Sequence, residues 1–573
     1  MDATLTLVDT LDEALAMREW LGQRREWLGF DIETTGLIVG RDKIRMVQVG
    51  DPDHGWAVPY ERWSGLIHDT LGRYDSSAMV AHNALFDLKF LKHDGIIIPT
   101  HLVHDTMIMS HLDSPMSANG LKPTCKRIFG PAAGAGELAL KLAMQKQKWG
   151  WASVPYDFPA YWAYSALDTV LTSKLAETLY PRIASDGRKK IYEVEMGCIN
   201  VLKDAELAGL QIDLDYVAET RQKLETYMSE LEPHIPIKNP NSDKQVLELL
   251  QSMGAKLWRR TERGNLSCDD DALIEVAEKA GEGTQLHTLA TCLSGWRKSS
   301  RLISNYISNF EDMNVDTILR CSVRTVGART GRMSITQPAL QTLPRGPIIR
   351  SAFVAREGQS FVLCDYEQLE LRVLASYAQE ATMLEAIHRD EDLHDFVAGE
   401  LYGQDFTREQ RQVAKNCNFG KAYGAGTATF ANTAGISMPE AEKFIHMYDN
   451  KFPGVARFQQ EVIKQVKERG YVETILGRKI PVEKDKAYKG TNYLVQSSAT
   501  ADLLKLKIVE CSNAGLHDYF RLPIHDELMF EIPDDFVEEG ARIVQEVMTE
   551  RDLFNCPLTA SPEIVKNWGD KYK

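Results

Sequence analysis

The sequence predicts an α/β region at the N-terminus and an α+β region in the C-terminal half. Short apolar runs, turns and helical patterns follow one another up to about Ile183. From about Thr317, strands and helices alternate without repeats or low-complexity tracts, and charged helical segments lie between the two regions. The chain has 573 residues, of which 44% are apolar and 26% charged. This length suits about three or four folded domains.

In the first region, three apolar runs predict strands at residues 27–32, 44–49 and 55–58. Helical patterns follow at residues 85–92, 105–112 and 161–179. A long helical passage at residues 191–209 leads to a polar break rich in Pro and Asn at residues 236–242. We expect the first region to end near this passage.

Composition excludes several classes of protein. No apolar run is long enough for a membrane helix, which needs about 18 residues, and the acidic start lacks a basic, then apolar, targeting pattern. Nine cysteines are scattered without a Cys-x-x-Cys pair, so neither a zinc site nor a disulfide framework is indicated. We expect a cytoplasmic protein without a membrane partner.

The formal net charge of −15 argues against nucleic acid as a partner, but the distribution of charge argues for it. Residues 317–356 contain seven arginines and neither Asp nor Glu. Such a segment suits a phosphate backbone, and a solvated basic face is the alternative interpretation.

Carboxylates form a first chemical pattern in the N-terminal region. Asp31 and Glu33 lie two positions apart on a predicted strand, so their side chains must face the same side. Asp87 lies on a predicted helix, and Tyr164 and Asp168 are four residues apart on one face of another. Four acids with hard oxygen ligands suit Mg²⁺ or Mn²⁺, and a paired metal site could activate water against a phosphodiester.

A second pattern spans the C-terminal half. Asp365 ends an apolar strand, and Asp526 lies in a His-Asp-Glu turn between two apolar strands. A solvated turn is the ordinary interpretation of such charges. Placed opposite each other, however, Asp365 and Asp526 could bridge two Mg²⁺ ions for in-line phosphoryl transfer.

One predicted helix between these acids carries two cations and two aromatic rings at four-residue spacing. These are Arg411, Lys415, Phe419 and Tyr423. The spacing keeps them on one slowly drifting face. Such a face suits a nucleoside triphosphate, since cations bind phosphates and rings stack on bases.

The N-terminal pattern resembles the DnaQ-like exonucleases, in the subclass with four acids and a tyrosine, over about the first 180 residues. The resemblance implies an RNase H-like domain that removes nucleotides from 3′ ends. By it, Asp31, Glu33, Asp87 and Asp168 would hold two metal ions, and Tyr164 would orient the attacking water.

The C-terminal pattern resembles the family A DNA polymerases from Val201 to Asn567-Trp568-Gly569-Asp570. The resemblance implies a right-hand polymerase in which Asp365 and Asp526 hold two Mg²⁺ ions. It also implies a set of residues around the incoming nucleotide. In this set, Arg411, Lys415 and His394 would hold the triphosphate, and Lys415 would also donate a proton to pyrophosphate. Phe419 would face the sugar, and Tyr423 would stack at the template side. Glu370 would exclude ribose, and Gln368 would lie near the same nucleotide.

The same resemblance implies residues that contact the primer-template duplex. They are Arg332 (in Thr330-Gly331-Arg332), Gln341, Arg478, Asn492, Gln496 and His525, with Glu527 near the primer terminus. Minor-groove acceptors are nearly alike in all base pairs, so such contacts can check pairing without reading sequence. Two positions depart from the family pattern: Ser497-Ser498 replaces Gly-Thr, and Tyr366-Glu367 replaces Tyr-Ser.

The expected domains are an exonuclease at residues 1–185 and a polymerase at residues 186–573. Within the latter we expect a thumb at about 201–313, a palm at about 317–380 and 480–573, and fingers at about 381–479. No 5′-nuclease domain is expected ahead of the exonuclease. The expected partners are primer-template DNA and deoxynucleoside triphosphates. The thumb looks too short for a thioredoxin-binding insertion, and we expect a monomer of bacteriophage origin, in preference to an organellar enzyme.

Three other classes remain as alternatives. A single-subunit RNA polymerase shares the palm chemistry, but Glu370 and the exonuclease pattern argue against it. An RNA-trimming exonuclease leaves Asp365 and Asp526 unused. A non-catalytic DNA clamp needs neither the ordered carboxylates nor the phosphate-binding cations.

Overall fold

The computed structural model describes residues 3–261, 263–422, 424 and 426–572. The chain divides into two compact units. Unit 1 comprises residues 1–209, 323–335 and 358–564, and unit 2 comprises residues 210–322, 336–357 and 565–573. In the described part of the chain, no helix is both long and apolar enough to cross a membrane.

Unit 1 begins with a six-stranded sheet in the order β1-β4-β3-β2-β5-β6. Strands β2 to β4 are antiparallel neighbours, whereas β1 pairs with β4, β5 with β2, and β6 with β5 in parallel. The strands are β1 Thr4–Leu7, β2 Trp27–Thr34, β3 Ile44–Gly50, β4 His54–Pro59, β5 Ala78–Ala81 and β6 Val103–Asp105. The helices of this part are α1 Leu11–Leu21, α2 Tyr60–Thr70, α3 Ala84–His93, α4 Thr106–Asp113, α5 Leu121–Phe129, α6 Ala135–Gln147, α7 Pro159–Ser185 and α8 Lys189–Ala208.

Helix α7 lies directly on this sheet because three strand glycines allow its backbone to approach. A Cβ atom at Gly29 would overlap the Thr169 carbonyl oxygen, and one at Gly55 would overlap the Ala166 carbonyl oxygen. At Gly50, a Cβ atom would overlap the Thr169 hydroxyl. The absence of a side chain at these three positions therefore allows α7 to lie close to the strands.

Unit 2 is mainly helical. Its helices are α9 Leu214–Leu231, α10 Asp243–Ser252, α11 Asp270–Ala280, α12 Gln285–Leu302, α13 Ser308–Met313 and α14 Pro347–Arg350, and β7 Leu210–Gln211 pairs with β8 Ile318–Leu319. Its apolar core includes Leu250, Leu273 and Leu293, all fully buried. In a second core, the Phe353 ring makes T-shaped contacts with the rings of Phe310 and Trp568, with ring centroids 5.2 and 5.4 Å apart.

The rest of unit 1 is organised around a four-stranded sheet in the order β14-β15-β11-β16. The remaining strands are β9 Ser322–Arg324, β10 Ser334–Thr336, β11 Gln359–Tyr366, β12 Tyr471–Glu473, β13 Lys479–Pro481, β14 Phe520–Ile524, β15 Glu527–Pro533 and β16 Ala560–Val565. The remaining helices are α15 Leu369–Ala378, α16 Ala381–His388, α17 Leu393–Tyr402, α18 Arg408–Ala422, α19 Thr427–Ala434, α20 Met438–Lys451, α21 Pro453–Arg469, α22 Lys489–Gln496, α23 Leu504–Cys511 and α24 Val537–Met548.

The predicted fold class, α/β followed by α+β, is confirmed. The three predicted strands correspond to β2, β3 and β4, and the predicted helices to α3, α4 and α7, each within a few residues at its ends. In the predicted His-Asp-Glu turn, only His525 and Asp526 lie between the strands, because Glu527 is already the first residue of β15.

Gly29→Ala is expected to destabilise unit 1, because the added methyl group would push α7 away from β2. Overpacking of this kind costs about 1–3 kcal/mol. In urea unfolding, the first transition of the variant should have its midpoint at a lower urea concentration than that of the wild-type protein. Gly136→Ala is the control, since no atom lies within 4 Å of a Cβ built on Gly136 in α6. Equal midpoints for Gly29→Ala and the wild-type protein would contradict the close approach of α7.

Candidate active sites

The first carboxylate cluster consists of Asp31, Glu33, Asp87 and Asp168. Strand β2 places Asp31 and Glu33 on the same face, in register with Gln48 and Met46 of β3. The Asp87 carboxylate at the start of α3 accepts a hydrogen bond from the Ile32 amide, at 3.1 Å. This bond ties helix α3 to the strand between the two other acids.

Helix α7 adds Tyr164 and Asp168 to this cluster, one helical turn apart. The Ser165 hydroxyl, on the same helix, donates to the Glu33 carboxylate at 3.1 Å. The close approach of α7 to the sheet thus brings Tyr164 and Asp168 to strand β2, which carries the first two acids of the cluster.

Burial and mutual repulsion disfavour the charged forms of these acids. Burial is the largest cause that raises the pKa of Asp31, followed by the charges of Asp87 and Glu33. Burial, and then Asp168, raises the pKa of Glu33 to about 8. Burial also raises the pKa values of Asp87 and Asp168. Within the described residues, however, no three His, Cys, Asp or Glu side chains converge as a metal-ion site.

Lys122 belongs to this site, although the sequence analysis did not single it out. It lies on α5 and is buried, and its ammonium group forms an ion pair with the Asp168 carboxylate. The same nitrogen lies 4.5 Å from the centre of the Tyr164 ring. A positive charge therefore already faces the acid on α7.

The second carboxylate cluster consists of Asp365, Glu370, Asp526 and Glu527. The antiparallel pairing of β11 and β15 places Asp365 opposite Glu527. Asp526 lies in the adjoining turn, where its carbonyl oxygen accepts a bond from the Tyr366 amide at 3.4 Å. Two acids 161 positions apart in the sequence thus meet at one end of the sheet.

The electrostatics of the second cluster resemble those of the first. Burial raises the pKa of Asp526 to about 7, and the charges of Asp365, Glu370 and Glu527 act in the same direction. The Arg332 guanidinium lies 3.9 Å from the Glu370 carboxylate. Repulsion among the acids shows that a cation at this sheet edge would be stabilised.

Four residues predicted to hold a nucleotide lie on α17 and α18, with His394 on α17 and Arg411, Lys415 and Phe419 on α18. His394 and Phe419 contact each other with ring centroids 5.7 Å apart, and the Asn418 amide donates to His394 Nδ1 at 3.1 Å. Burial is the largest cause that lowers the pKa of His394 to about 4, and the nearby charges of Lys415 and Arg411 act in the same direction. His394 is therefore neutral near pH 7.

Arg411 and Gln368 both contact Asp392, which precedes α17. The Arg411 guanidinium forms ion pairs with Asp392 at 3.4 Å and with Asp395. The Gln368 amide donates to Asp392 at 2.7 Å, and its oxygen accepts from the Leu393 amide at 2.9 Å. The prediction for Tyr423 falls outside the described residues.

Most residues predicted to contact DNA are accessible. Arg332, Gln341, Asn492 and Gln496 are half-buried, and His525 is exposed in the turn before Asp526. Asn492 and Phe419 line one cavity of about 410 Å³ beside α19. Gln341 belongs to unit 2, in a single turn at Leu340–Thr342.

Arg478 is placed differently from its prediction. Its side chain is 1% exposed and forms ion pairs with Glu195 at 2.5 Å and with Asp502 at 2.6 Å. A guanidinium that is enclosed by two buried carboxylates cannot reach a nucleic acid. The structure contradicts the prediction that Arg478 contacts DNA, because the guanidinium lies in a buried ionic network.

The two departures from the family pattern have local structural reasons. The Ser498 hydroxyl lies 2.7 Å from the Tyr377 hydroxyl, inside a π-helical segment at Ser497–Leu503. The Glu367 carboxylate accepts from the hydroxyls of Thr559 at 3.1 Å and Ser561 at 2.5 Å. Glu367 therefore points towards β16 and fixes the sheet edge next to Asp365.

Comparison with known proteins gives consistent results. The family model for DNA polymerase family A matches residues 214–570, and the 3′–5′ exonuclease model matches residues 6–184. A DNA polymerase of Mycobacterium phage L5 is 29% identical over 99% of this chain and 97% of its own length. A DNA polymerase of Mycobacterium phage D29 is 28% identical with the same coverage.

Bacterial relatives are similar over part of their length. DNA polymerase I of Chloroflexus aurantiacus is 31% identical over 86% of this chain and 54% of its own length. Among solved structures, the polymerase domain of Pol1 from M. smegmatis, in complex with DNA primer-template and dNTP, is similar in fold. Its TM-score is 0.82 at 22% identity, over 98% of this chain and 99% of that one.

The polymerase match alone covers more than half of the chain, and the exonuclease match covers the region that carries the first carboxylate cluster. This chain therefore belongs to DNA polymerase family A and carries a 3′–5′ exonuclease domain ahead of the polymerase.

Proposed function

We propose that this enzyme extends a DNA primer at the second carboxylate cluster and removes mispaired 3′ nucleotides at the first. The observation that carries the assignment is the register of β11 and β15, which brings Asp365 and Asp526 to one sheet end. The corresponding domains are proposed at residues 1–185 and 186–573. Primer-template DNA and deoxynucleoside triphosphates are the proposed substrates.

Divalent cations are the proposed cofactors, with Mg²⁺ or Mn²⁺ in two positions at each cluster. Asp365 and Asp526 would hold one pair, and Asp31, Glu33, Asp87 and Asp168 the other. The fit rests on the donors, which are hard carboxylate oxygens whose burial and mutual repulsion raise their pKa values. When bound, such ions neutralise phosphate charge and make water a stronger nucleophile.

The remaining side chains bind and orient the substrates of the polymerase reaction. Arg411, Lys415 and neutral His394 would bind the triphosphate, and Lys415 would donate a proton to the leaving pyrophosphate. Phe419 would lie against the sugar, and Tyr423 would stack at the template side. Glu370, held near Arg332, would exclude a ribose hydroxyl from the same space.

In the exonuclease reaction, Tyr164 would orient the attacking water. Burial, and then the charge of Asp168, raises the pKa of the Tyr164 hydroxyl, so Tyr164 remains a neutral hydrogen-bond donor. Lys122 would compensate the Asp168 charge when no cation is bound, since its ammonium already faces that carboxylate.

A role in phage DNA replication, in the cytoplasm of a bacterial host, is the proposed biological setting. It is supported by the two phage relatives, which match nearly the whole chain. We further propose a monomer that acts without a thioredoxin clamp.

The two sites are expected to fail independently. Asp526→Asn removes a charge that holds the nucleotide's cation, so primer extension should fall by about 10³-fold, equivalent to roughly 4 kcal/mol of transition-state stabilisation. Digestion of single-stranded DNA should persist. Asp31→Ala should abolish trimming of a mispaired 3′ end while matched extension continues. One labelled primer, followed with and without nucleotides, measures both, and a pure Asp31→Ala protein that still trims would refute the exonuclease assignment.

Lys122→Met should make the stability of unit 1 depend on divalent cations. The variant leaves Asp168 buried without its ammonium partner, and breaking a buried pair in this way costs about 3–5 kcal/mol. Mn²⁺ should therefore raise the thermal unfolding temperature of the variant more than that of the wild type. Lys126→Met, an exposed lysine on the same helix, is the control. An equal response of both variants to Mn²⁺ would contradict a cation site at Asp168.

Phe419→Tyr should admit dideoxynucleotides, because the added phenol hydroxyl can replace the contact of the missing 3′-hydroxyl. Chain-termination ladders on one template measure this change. Phe430→Tyr provides the control, since Phe430 lines the same cavity as Phe419 without lying on α18. Identical ladders for Phe419→Tyr and wild type would mean that Phe419 does not face the sugar.

A further inference from the structure

The loop at residues 325–333, between β9 and β10, carries Arg332 and is tightly structured. Within the loop, the Gly331 amide donates to the Ala328 carbonyl at 2.9 Å, and the Gly327 amide donates to the Arg332 carbonyl at 3.0 Å. Gly331 has a φ of +79°, a conformation that favours glycine. Its Cα faces the Arg478 guanidinium so closely that a Cβ atom would overlap it.

His111 holds this loop from within the exonuclease domain. It lies on α4, is 1% exposed, and its Nε2 is 2.9 Å from the Ala328 carbonyl oxygen. Burial and the charge of Arg478 lower the pKa of His111 to about 3, so the ring is neutral. A carbonyl oxygen can only accept, so Nε2 must carry the proton and donate it.

A buried ionic network holds the other side of the loop. Lys505 donates to the Gly331 carbonyl at 2.7 Å and pairs with Glu195 of α8 at 2.6 Å. Arg478 pairs with Glu195 and Asp502, as described above. All four side chains are at most 1% exposed, and their two positive and two negative charges balance. The loop is therefore fixed at Ala328 and Gly331, on either side of Arg329 and one residue before Arg332.

We propose that His111 is a positioning residue for the polymerase reaction, which holds the Arg332 loop so that Arg332 reaches the minor-groove edge of the primer-terminal base pair. This inference rests on the proposed polymerase function and on the minor-groove contact that the family resemblance implies for Arg332. Its guanidinium is already directed at the second carboxylate cluster, 3.9 Å from Glu370. Small displacements matter at this position, since a shift of about 1 Å in a positioning group can cost about 10²-fold in rate.

This role ties the accuracy of synthesis to a residue of the proofreading domain. His111 lies inside the segment matched by the exonuclease model, whereas Ala328 and Arg332 lie inside the polymerase match. Without the His111 donor, the Ala328 carbonyl loses the only side-chain hydrogen bond that it makes among the residues that the structure describes. Arg332 would then sample positions that no longer report on base-pair geometry.

The test uses the full chain with Asp31→Ala, so that trimming does not obscure extension. Two substitutions are introduced into this parent enzyme. His111→Phe removes the donor but keeps a ring, and His111→Gln keeps a donor. Single-nucleotide extension is measured on two matched primers, one ending in adenine and one in 3-deazaadenine, which lacks the N3 acceptor in the minor groove. The ratio of the two rates is independent of the folded fraction, because only folded enzyme extends either primer.

The parent should extend the 3-deaza primer at least about tenfold more slowly than the normal primer, whereas His111→Phe should show a ratio near one. Its rate loss should lie in kcat more than in the KM for the nucleotide. His111→Gln should restore the ratio of the parent, and His101→Phe, at an exposed histidine, should leave it unchanged.

Two different failures can be distinguished. A parent that ignores the 3-deaza change, as Arg332→Ala should, refutes the minor-groove role of Arg332 and the positioning role with it. A sensitive parent with an equally sensitive His111→Phe variant refutes the positioning role alone. A His111→Gln variant that behaves like His111→Phe would also overturn it, since the donor would then not be the cause.

Discussion

Repulsion between buried carboxylates is the constraint on which both active sites depend. In each cluster, a sheet strand fixes one or two acids and a second element brings others close, and burial makes the resulting repulsion strong. The repulsion persists only if the acids are held rigidly, because mobile side chains would move apart. The close contact of α7 with β2 and the register of β11 with β15 supply that rigidity, so the fold maintains the repulsion within each cluster.

Local patterns in the sequence predicted which side of its strand or helix each acid faces, whereas long-range pairing was not predictable. Asp31 and Glu33 face one side because a strand has a period of two, and this holds in any sheet. Lys122 was missed because its partner Asp168 lies 46 residues away and nothing in the sequence near Lys122 marks the pair. Arg478 was misassigned for the same reason. The family resemblance implied a DNA contact for Arg478, but Glu195, 283 positions away, encloses its guanidinium.

Cations near the proposed nucleotide site form weaker ion pairs than the cations in the interior, so they can exchange their partners more easily. Arg411 is half-buried and its acidic partners Asp392 and Asp395 are exposed, and pairs of this kind contribute about 0–1 kcal/mol. A triphosphate can displace them at little cost. Arg478 and Lys505 are enclosed, so their pairs are permanent. The net charge of −15 is thus compatible with phosphate binding, because accessible cations are held only weakly by the acids around them.

The buried network around the Arg332 loop would be an unusual way to gain stability. Desolvation of four charges costs several kcal/mol per ion, and apolar replacements are often equally or more stable. An apolar core, however, could not bind the carbonyls of Ala328 and Gly331. The Ala328 carbonyl would keep its bond from the Gly331 amide, whereas an unsatisfied buried carbonyl at Gly331 would cost about 1–3 kcal/mol. Lys505 and His111 both donate to these carbonyls. The charges therefore secure one loop conformation, and helix α4 of the exonuclease domain contributes to it through His111.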